Sequence, residues 1–311
     1  MERVVELLAP ALEHAADLPA PLVVDATVGM GGHAERILQA HPTVRLLGID
    51  RDLTAVNHSR QRLTPFGDRA EVVHSVYDDL PRILEHRGYE HVAAVLLDLG
   101  VSSPQLDEAE RGFAYSYDAP LDMRMDSTQG ATAAEVVNTA SVSELARILR
   151  DYGEERFARK IAQAIVRERA LSAIETTSRL ADLVRDTIPA PARRTGGNPA
   201  KRTFQALRIE VNDEIPTLQR ALPAAVAHLG VGGRIVVLSY HSLEDRATKR
   251  VLTGAAQDTT PPDLPVLLPE ARPQLRLLTR GAEQSVEEER TVNPRAASAR
   301  LRAAERIRPA R

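Results

Sequence analysis

Cysteine is absent from this 311-residue chain, and so is tryptophan. Without cysteine there is no disulfide, no thiolate metal site and no thiol nucleophile. Aromatic residues make up only 3% of the chain, too few for a broad platform on which nucleic-acid bases stack. Excess positive charge is missing as well. The formal net charge is −3, so no global field marks a nucleic-acid binder and any basic surface has to be local. No apolar run approaches the roughly 20 residues that cross a bilayer, and Met1-Glu2-Arg3 opens no signal-peptide pattern. The expectation is a soluble cytoplasmic protein with no membrane partner. No set of histidines and carboxylates has metal-ligand spacing, so no catalytic metal is expected.

What is present suffices for a sizeable core. Hydrophobic residues account for 43% of the chain, enough for one large domain or two smaller ones. The stretch Val23-Val24-Asp25-Ala26-Thr27-Val28-Gly29-Met30-Gly31-Gly32-His33 reads as strand, tight turn and helix start. Glycines let the backbone take positive φ and approach a ligand closely, and the free N–H groups of a helix start face whatever sits there. A second strand, Leu46 to Asp50, ends in another acid. An acid at that place can hold two ribose hydroxyls. Turn and acid together point to an adenosine-containing cofactor. The turn is shorter than the dinucleotide Gly-x-Gly-x-x-Gly pattern, which favours S-adenosylmethionine. A plain structural turn is the alternative.

Further strands are expected at Ala70 to Val76, Val92 to Asp98, Gly232 to Ser239, Leu275 to Leu278 and Ala299 to Arg302. With Val23–Asp25 and Leu46–Asp50 they make seven. The run Val92 to Asp98 is apolar almost throughout, as a strand covered on both faces should be. Strands alternating with helices imply a mostly parallel, Rossmann-like sheet with right-handed crossovers, and the late pair of strands suits a methyltransferase better than a nicotinamide dehydrogenase. From about 105 to 204 the strand rhythm stops. Helices are expected from Ser143, with serine as the cap, over Glu154–Arg169 and over Ser178–Ile188. This gives a discontinuous methyltransferase domain, 1–104 and 205–311, with an all-helical insertion at 105–204. A helix is expected over Phe204–Ala227, broken at Pro216 or Pro223, and another from a Ser242 cap to Leu252. The segment 254–274 reads as proline-rich loop. Arg193, Arg194, Lys201, Arg202 and Arg208 surround Gly196-Gly197-Asn198-Pro199, either as a solvated face or as a phosphate-contacting loop.

Two segments lie where ligands bind in an open α/β sheet, beyond the carboxyl ends of the strands. One is Asp98-Leu99-Gly100-Val101-Ser102-Ser103-Pro104-Gln105. Asp98 and Gln105 are candidates for the cofactor side, and Ser102 and Ser103 for the acceptor side. The other is Ser239-Tyr240-His241-Ser242-Leu243-Glu244-Asp245-Arg246, a candidate wall of the acceptor site. His33 is either a polar helix-start residue or a contact to the amino-acid end of the cofactor.

In order along the chain, Gly29-Met30-Gly31-Gly32-His33, Ile49-Asp50-Arg51-Asp52, Leu97 to Asp107, Arg111-Gly112-Phe113-Ala114-Tyr115, Pro120-Leu121-Asp122-Met123-Arg124-Met125, Arg202 to Arg208 and Ser239 to Arg246 closely resemble the bacterial 16S ribosomal RNA cytosine-N4 methyltransferase family, the MraW type. The resemblance covers nearly the whole chain. It implies a class I S-adenosylmethionine-dependent methyltransferase with an inserted helical RNA-recognition domain. The implied reaction is methylation of a cytidine N4 amine in the ribosomal decoding region. It places Gly31, Gly32, His33, Asp50, Tyr77, Asp98 and Gln105 at the cofactor, with Tyr77 supplying an adenine-stacking face where relatives often have phenylalanine; the strand-and-turn reading adds Asp25, as a loop-orienting or amino-end contact, and Gly29. Asp98, Ser102, Ser103, Tyr240 and His241 are the catalytic candidates. The implied partner is 16S ribosomal RNA within the small subunit, with the choice between monomer and homodimer left open. A DNA amino-methyltransferase is the first alternative, though such enzymes usually carry Pro-Pro-Tyr or Pro-Pro-Phe where this chain has Leu99-Gly100-Val101. A non-catalytic ribosome-assembly factor that holds the cofactor as a ligand is the second.

Overall fold

The computed structural model describes residues 1–14, 21–116, 118–190, 198–260 and 271–309. Pro19, Arg193, Arg194, Gly196, Gly197, the middle of the proline-rich loop and Arg311 lie outside the described residues. The chain divides into two compact units, one made of Met1–Gly100 and Ile215–Arg311, the other of Val101–Glu214. The insertion expected at 105–204 compares with this second unit.

The first unit opens with α1 (Glu2–His14), β1 (Leu22–Asp25), α2 (Gly32–Ala40), β2 (Arg45–Asp50), α3 (Leu53–Leu63), β3 (Ala70–His74), α4 (Leu80–His86) and β4 (Val92–Asp98). The second unit carries α5 (Ser103–Asp107), α6 (Ala133–Thr139), α7 (Val142–Asp151), α8 (Ala158–Arg169), α9 (Thr177–Thr187) and α10 (Lys201–Val211). The first unit then resumes through α11 (Glu214–His228), β5 (Leu229–Ser239), α12 (Ser242–Ala255), β6 (Leu275–Leu277), β7 (Glu283–Gln284), α13 (Glu287–Val292) and β8 (Arg300–Arg306).

The strands form one mixed sheet in the order β3-β2-β1-β4-β5-β8-β6, with β7 paired to β8. The pairs from β3 through β5 are parallel, and those with β8 are antiparallel. This is the class I methyltransferase arrangement. Seven of the strands are the expected ones, and β7 adds a two-residue eighth. Successive strand side chains point to opposite faces, and both faces here are apolar. Val24, Leu47, Ile49, Val95, Leu97, Ile235 and Val237 share one cluster with α4, α11 and α12. Val23, Leu46, Ala94, Leu96 and Val236 share the other with α1, α2 and α3. Double coverage explains why β4 reads as an unbroken apolar run.

Local boundaries moved for identifiable reasons. The long helix expected over Phe204–Ala227 is two helices, and the break is at Asn212-Asp213, where Asp213 takes a φ of 49°. The prolines do not cause it. Pro216 occupies the first turn of α11, where a missing N–H costs no helical bond, and Pro223 lies inside the helix. The cap of α7 is Ser141, whose side chain accepts from the Glu144 N–H while Glu144 reaches back to the Ser141 N–H. Ser143 is inside that helix. Likewise His241, one residue before Ser242, caps α12. Helix α8 starts at Ala158, after a turn over Glu154–Phe157.

The second unit has its own core, in which Leu121, Met123, Leu145, Leu149, Ile161, Ile165 and Phe204 are buried. Asn212 fastens the Met123–Met125 loop to the end of α10. Its side-chain amide donates to the Met123 carbonyl at 2.8 Å and accepts from the Met125 N–H at 2.7 Å. Met123 takes a left-handed φ of 63°, rare for a side chain of this size.

Candidate active site

Three parallel strands of the first unit end in aspartate at the same sheet edge. Asp25 of β1 lies level with Gly48 on β2 and with Leu96 on β4. Asp50 and Asp98 therefore sit two residues beyond it on either side. Strand β5 ends one position over, with Leu238 opposite Asp98, and Tyr240 follows.

The turn after β1 bends back over this edge. Gly31 caps α2 with a φ of 76°, a left-handed conformation that costs glycine least. The Gly29 N–H donates to Asp50 Oδ2 at 2.8 Å, and the Asp52 N–H donates to Oδ1 at 2.9 Å. Burial raises the Asp50 carboxyl above the usual range, and the two backbone donors work against that rise. Asp50 thus ties the glycine turn to the second strand.

Asp25 is almost wholly buried, at 1% exposure. Burial, reinforced by the neighbouring Asp98 charge, pushes its carboxyl up to about 8, and only the Thr27 N–H opposes this. Asp98 keeps a quarter of its side chain exposed, 26%. Its backbone N–H donates to Thr27 Oγ1 at 2.6 Å. Its Oδ1 accepts the Tyr240 hydroxyl at 2.8 Å, and its Oδ2 lies 3.6 Å from His33 Nδ1. Burial raises the Asp98 carboxyl, while His33 and the Tyr240 hydroxyl counteract it. Burial also raises the Tyr240 phenol, with the Asp98 charge adding to the effect, so this hydroxyl stays a proton donor. His33 is pushed down by burial, and its Nε2 is buried with no hydrogen-bond partner among the described residues.

Tyr240 is itself held. Glu244, 2% exposed, accepts the Tyr240 N–H at 2.7 Å and the His241 N–H at 3.2 Å. Its other oxygen lies 3.1 Å from His241 Nε2. The Tyr240 ring lies against Gly100, where an added Cβ would come within 3.1 Å of the ring and where φ is 94°. Only glycine satisfies both conditions easily.

The first unit therefore brings together Asp25, Gly29, Gly31, Gly32, His33, Asp50, Asp98, Tyr240 and His241. Tyr77 lies in a short 3-10 turn after β3, partly buried against the core. Ser102, Ser103 and Gln105 fall in the second unit. Ser102 caps α5, and its N–H donates to Gln105 Oε1 at 3.0 Å. The buried Gln105 thus serves as the reciprocal half of a capping box. Thr27 and Glu244 escaped the sequence reading. Each accepts from a backbone N–H; Glu244 holds the reciprocal place of a capping box three residues after His241, whereas no spacing marks Thr27.

The sequence profile of the MraW methylase family matches residues 1–307. A protein of Thermobifida fusca, ribosomal RNA small subunit methyltransferase H, is 67% identical over 99% of this chain and 92% of its own length. The protein of the same name from Frankia alni is 63% identical over 99% and 94%. A solved rRNA methylase from Streptococcus thermophilus is 13% identical over 96% of this chain and 95% of its own, with a TM-score of 0.42. With its carboxylate-lined sheet edge, its glycine turn and a full-length match to the profile, this chain belongs to the MraW methylase family.

Proposed function

We propose that this protein is a ribosomal RNA methyltransferase that moves a methyl group from S-adenosylmethionine to the exocyclic N4 amine of a cytidine in the decoding region of 16S ribosomal RNA. The observation that carries the reading is the convergence of Asp25, Asp50 and Asp98 on one sheet edge beneath a glycine turn. Relatives bearing the name ribosomal RNA small subunit methyltransferase H support the choice of RNA.

The residues suit this cofactor. Asp50 stands at the end of the second strand, where a ribose diol is held. The carboxylates of Asp50 and Asp98 favour a cationic ligand, and the buried, unpartnered His33 Nε2 marks a polar position ready for one more partner. When bound, S-adenosylmethionine supplies an electrophilic methyl carbon on a sulfonium. The chain supplies alignment, which can contribute several kcal/mol without any covalent step.

The acceptor is the harder partner, because the lone pair of a cytosine amine is delocalised into its ring. Asp98 answers this. Tyr240 occupies Oδ1 and Thr27 fixes the backbone. Oδ2, 3.6 Å from His33 Nδ1 and so outside direct hydrogen-bond distance of it, accepts an N–H of the amine, which favours the pyramidal form that can attack. Burial raises the Asp98 carboxyl and so makes it a better proton acceptor. The base has to leave its stack to reach this edge, at a cost of a few kcal/mol that an irregular RNA loop reduces.

Transfer of tritiated methyl groups to small ribosomal subunits, naked 16S RNA and duplex DNA tests the reading. Label is expected in the ribosomal RNA, and nuclease digestion followed by mass spectrometry is expected to find it on N4 of a cytidine. Label in DNA would favour the DNA enzyme, and label nowhere would favour an assembly factor.

A further inference from the structure

The second unit carries a stripe of cations that pairs with no acid among the described residues. Helix α8 buries Ala158, Ile161, Ala162, Ala164 and Ile165. Its opposite side exposes Arg159, Lys160, Gln163 and Arg167, and Arg156 is exposed in the turn just before it. At 3.6 residues per turn the four helical positions fall within an arc of about 100°, and from Arg159 to Arg167 they extend about 12 Å along the axis. The arc carries no acid. Glu168 turns away to Arg179 at 3.0 Å, and the buried Glu155 accepts the Phe157 N–H at 2.8 Å.

Other arginines of the same unit behave differently. Arg124 pairs with Asp122, Arg147 with Glu210, Arg179 with Glu168 and Arg208 with Glu214. Arg169 donates to the carbonyls of Val137 and Ala140. Among the described residues, Arg156, Arg159, Lys160 and Arg167 make no ion pair and no side-chain hydrogen bond. In a chain with 43 acids and 40 bases, four unneutralised cations on one exposed stripe concentrate positive potential locally.

We propose that this face of α8, with Arg156, Arg159, Lys160 and Arg167, is the docking surface for the phosphate backbone of the RNA substrate. The inference rests on the RNA-methyltransferase reading and adds where the RNA is gripped. Phosphates complement the stripe in charge, and a straight row of cations with a single uncharged hydrogen-bonding side chain, Gln163, follows a backbone rather than reading base edges. Such contacts position the RNA without specifying its sequence. Selectivity for one cytidine then has to come from the pocket and from RNA shape.

The test compares wild type, Arg159→Glu/Arg167→Glu and a matched control, Lys249→Glu/Arg250→Glu, at exposed positions in the middle of α12. Binding to naked 16S RNA and to assembled small subunits is measured across a potassium chloride series, and S-adenosylmethionine binding is measured in parallel by calorimetry. The stripe variant is expected to bind RNA at least tenfold more weakly at low salt. Its salt slope should fall by about 1.4, two contacts at roughly 0.7 each. Cofactor binding and the control should match wild type. An unchanged affinity and slope in the stripe variant overturns the proposal, as does an equal loss in the control, which would report net charge alone. A loss seen only with assembled subunits would move the stripe to a protein partner and also overturns it. If the wild type transfers methyl groups to RNA while the stripe variant keeps its affinity, only this inference falls. If the wild type binds neither naked 16S RNA nor small subunits and methylates neither, both fall.

Discussion

Tyr240 donates its hydroxyl to Asp98 Oδ1 at 2.8 Å across 142 residues of sequence. One carboxylate oxygen is thereby bound within the protein, and the other lies 3.6 Å from His33 Nδ1. Tyr240→Phe keeps the ring against Gly100 and removes only the donor. A hydrogen bond to a charged group contributes about 1.5–3 kcal/mol, so single-turnover methyl transfer is expected to slow on the order of 10- to 100-fold. The cofactor dissociation constant should stay within about twofold of wild type. Equal losses in cofactor affinity and in rate would place Tyr240 at the cofactor instead.

Asp98→Ala removes the acceptor itself. Methyl transfer is expected to be abolished, with the circular dichroism spectrum and thermal midpoint close to wild type. Near wild-type turnover of the folded variant would reject Asp98 as the group that holds the amine.

Asp50→Ala acts on the other side of the pocket. It deletes the acceptor for the Gly29 and Asp52 N–H groups, along with the expected ribose partner. The cofactor dissociation constant is expected to rise about tenfold or more, since leaving such donors unpaired costs about 1–3 kcal/mol. An unchanged constant by calorimetry removes the ribose assignment.

Asp25 links stability to pH. Its carboxyl is raised from the ordinary carboxylate range to about 8 in the folded protein. Between roughly pH 4 and 8 the folded state therefore holds a proton that the unfolded chain has released. Stability from this group is complete below the unfolded value and is lost as pH rises towards 8. Asp25→Asn keeps the shape and removes the titration. Urea midpoints at pH 5 and pH 8 are expected to show the wild type losing stability relative to the variant as pH rises. A constant difference would show that Asp25 titrates normally.

Asn212→Ala is expected to destabilise the second unit by about 2–4 kcal/mol. It leaves the buried Met123 carbonyl and Met125 N–H without their partner, at about 1–3 kcal/mol for each unsatisfied group. Protease sensitivity confined to residues 101–214 would be the signature. Uniform sensitivity across both units would instead mean that they unfold together.

Local regularity was readable directly. The apolar runs before Asp25, Asp50 and Asp98 announce buried strands, and the Gly29–Gly32 turn announces a close backbone approach, because each depends on neighbours in sequence. The helix caps were less so, since serines at 141 and 143 and at 242 are chemically equivalent until the backbone has chosen which one stays outside the helix. The break at Asn212-Asp213 carried no proline or glycine to mark it, and Asn212 stands there because its side chain is needed by Met123 and Met125.

The order of residues by itself determined the mostly parallel sheet, the three carboxylates at strand ends and the helical character of the inserted segment, since periodicity and turn chemistry are short-range properties. Tertiary structure alone decided that Tyr240 meets Asp98, that Thr27 fixes the Asp98 backbone, and that among the described residues four cations of the α8 segment stay unpaired while Arg147 and Arg179 find acids. Those outcomes depend on which side chains the folded chain brings within about 3 Å of each other, a distance that hydrogen bonds require and that sequence separation does not encode.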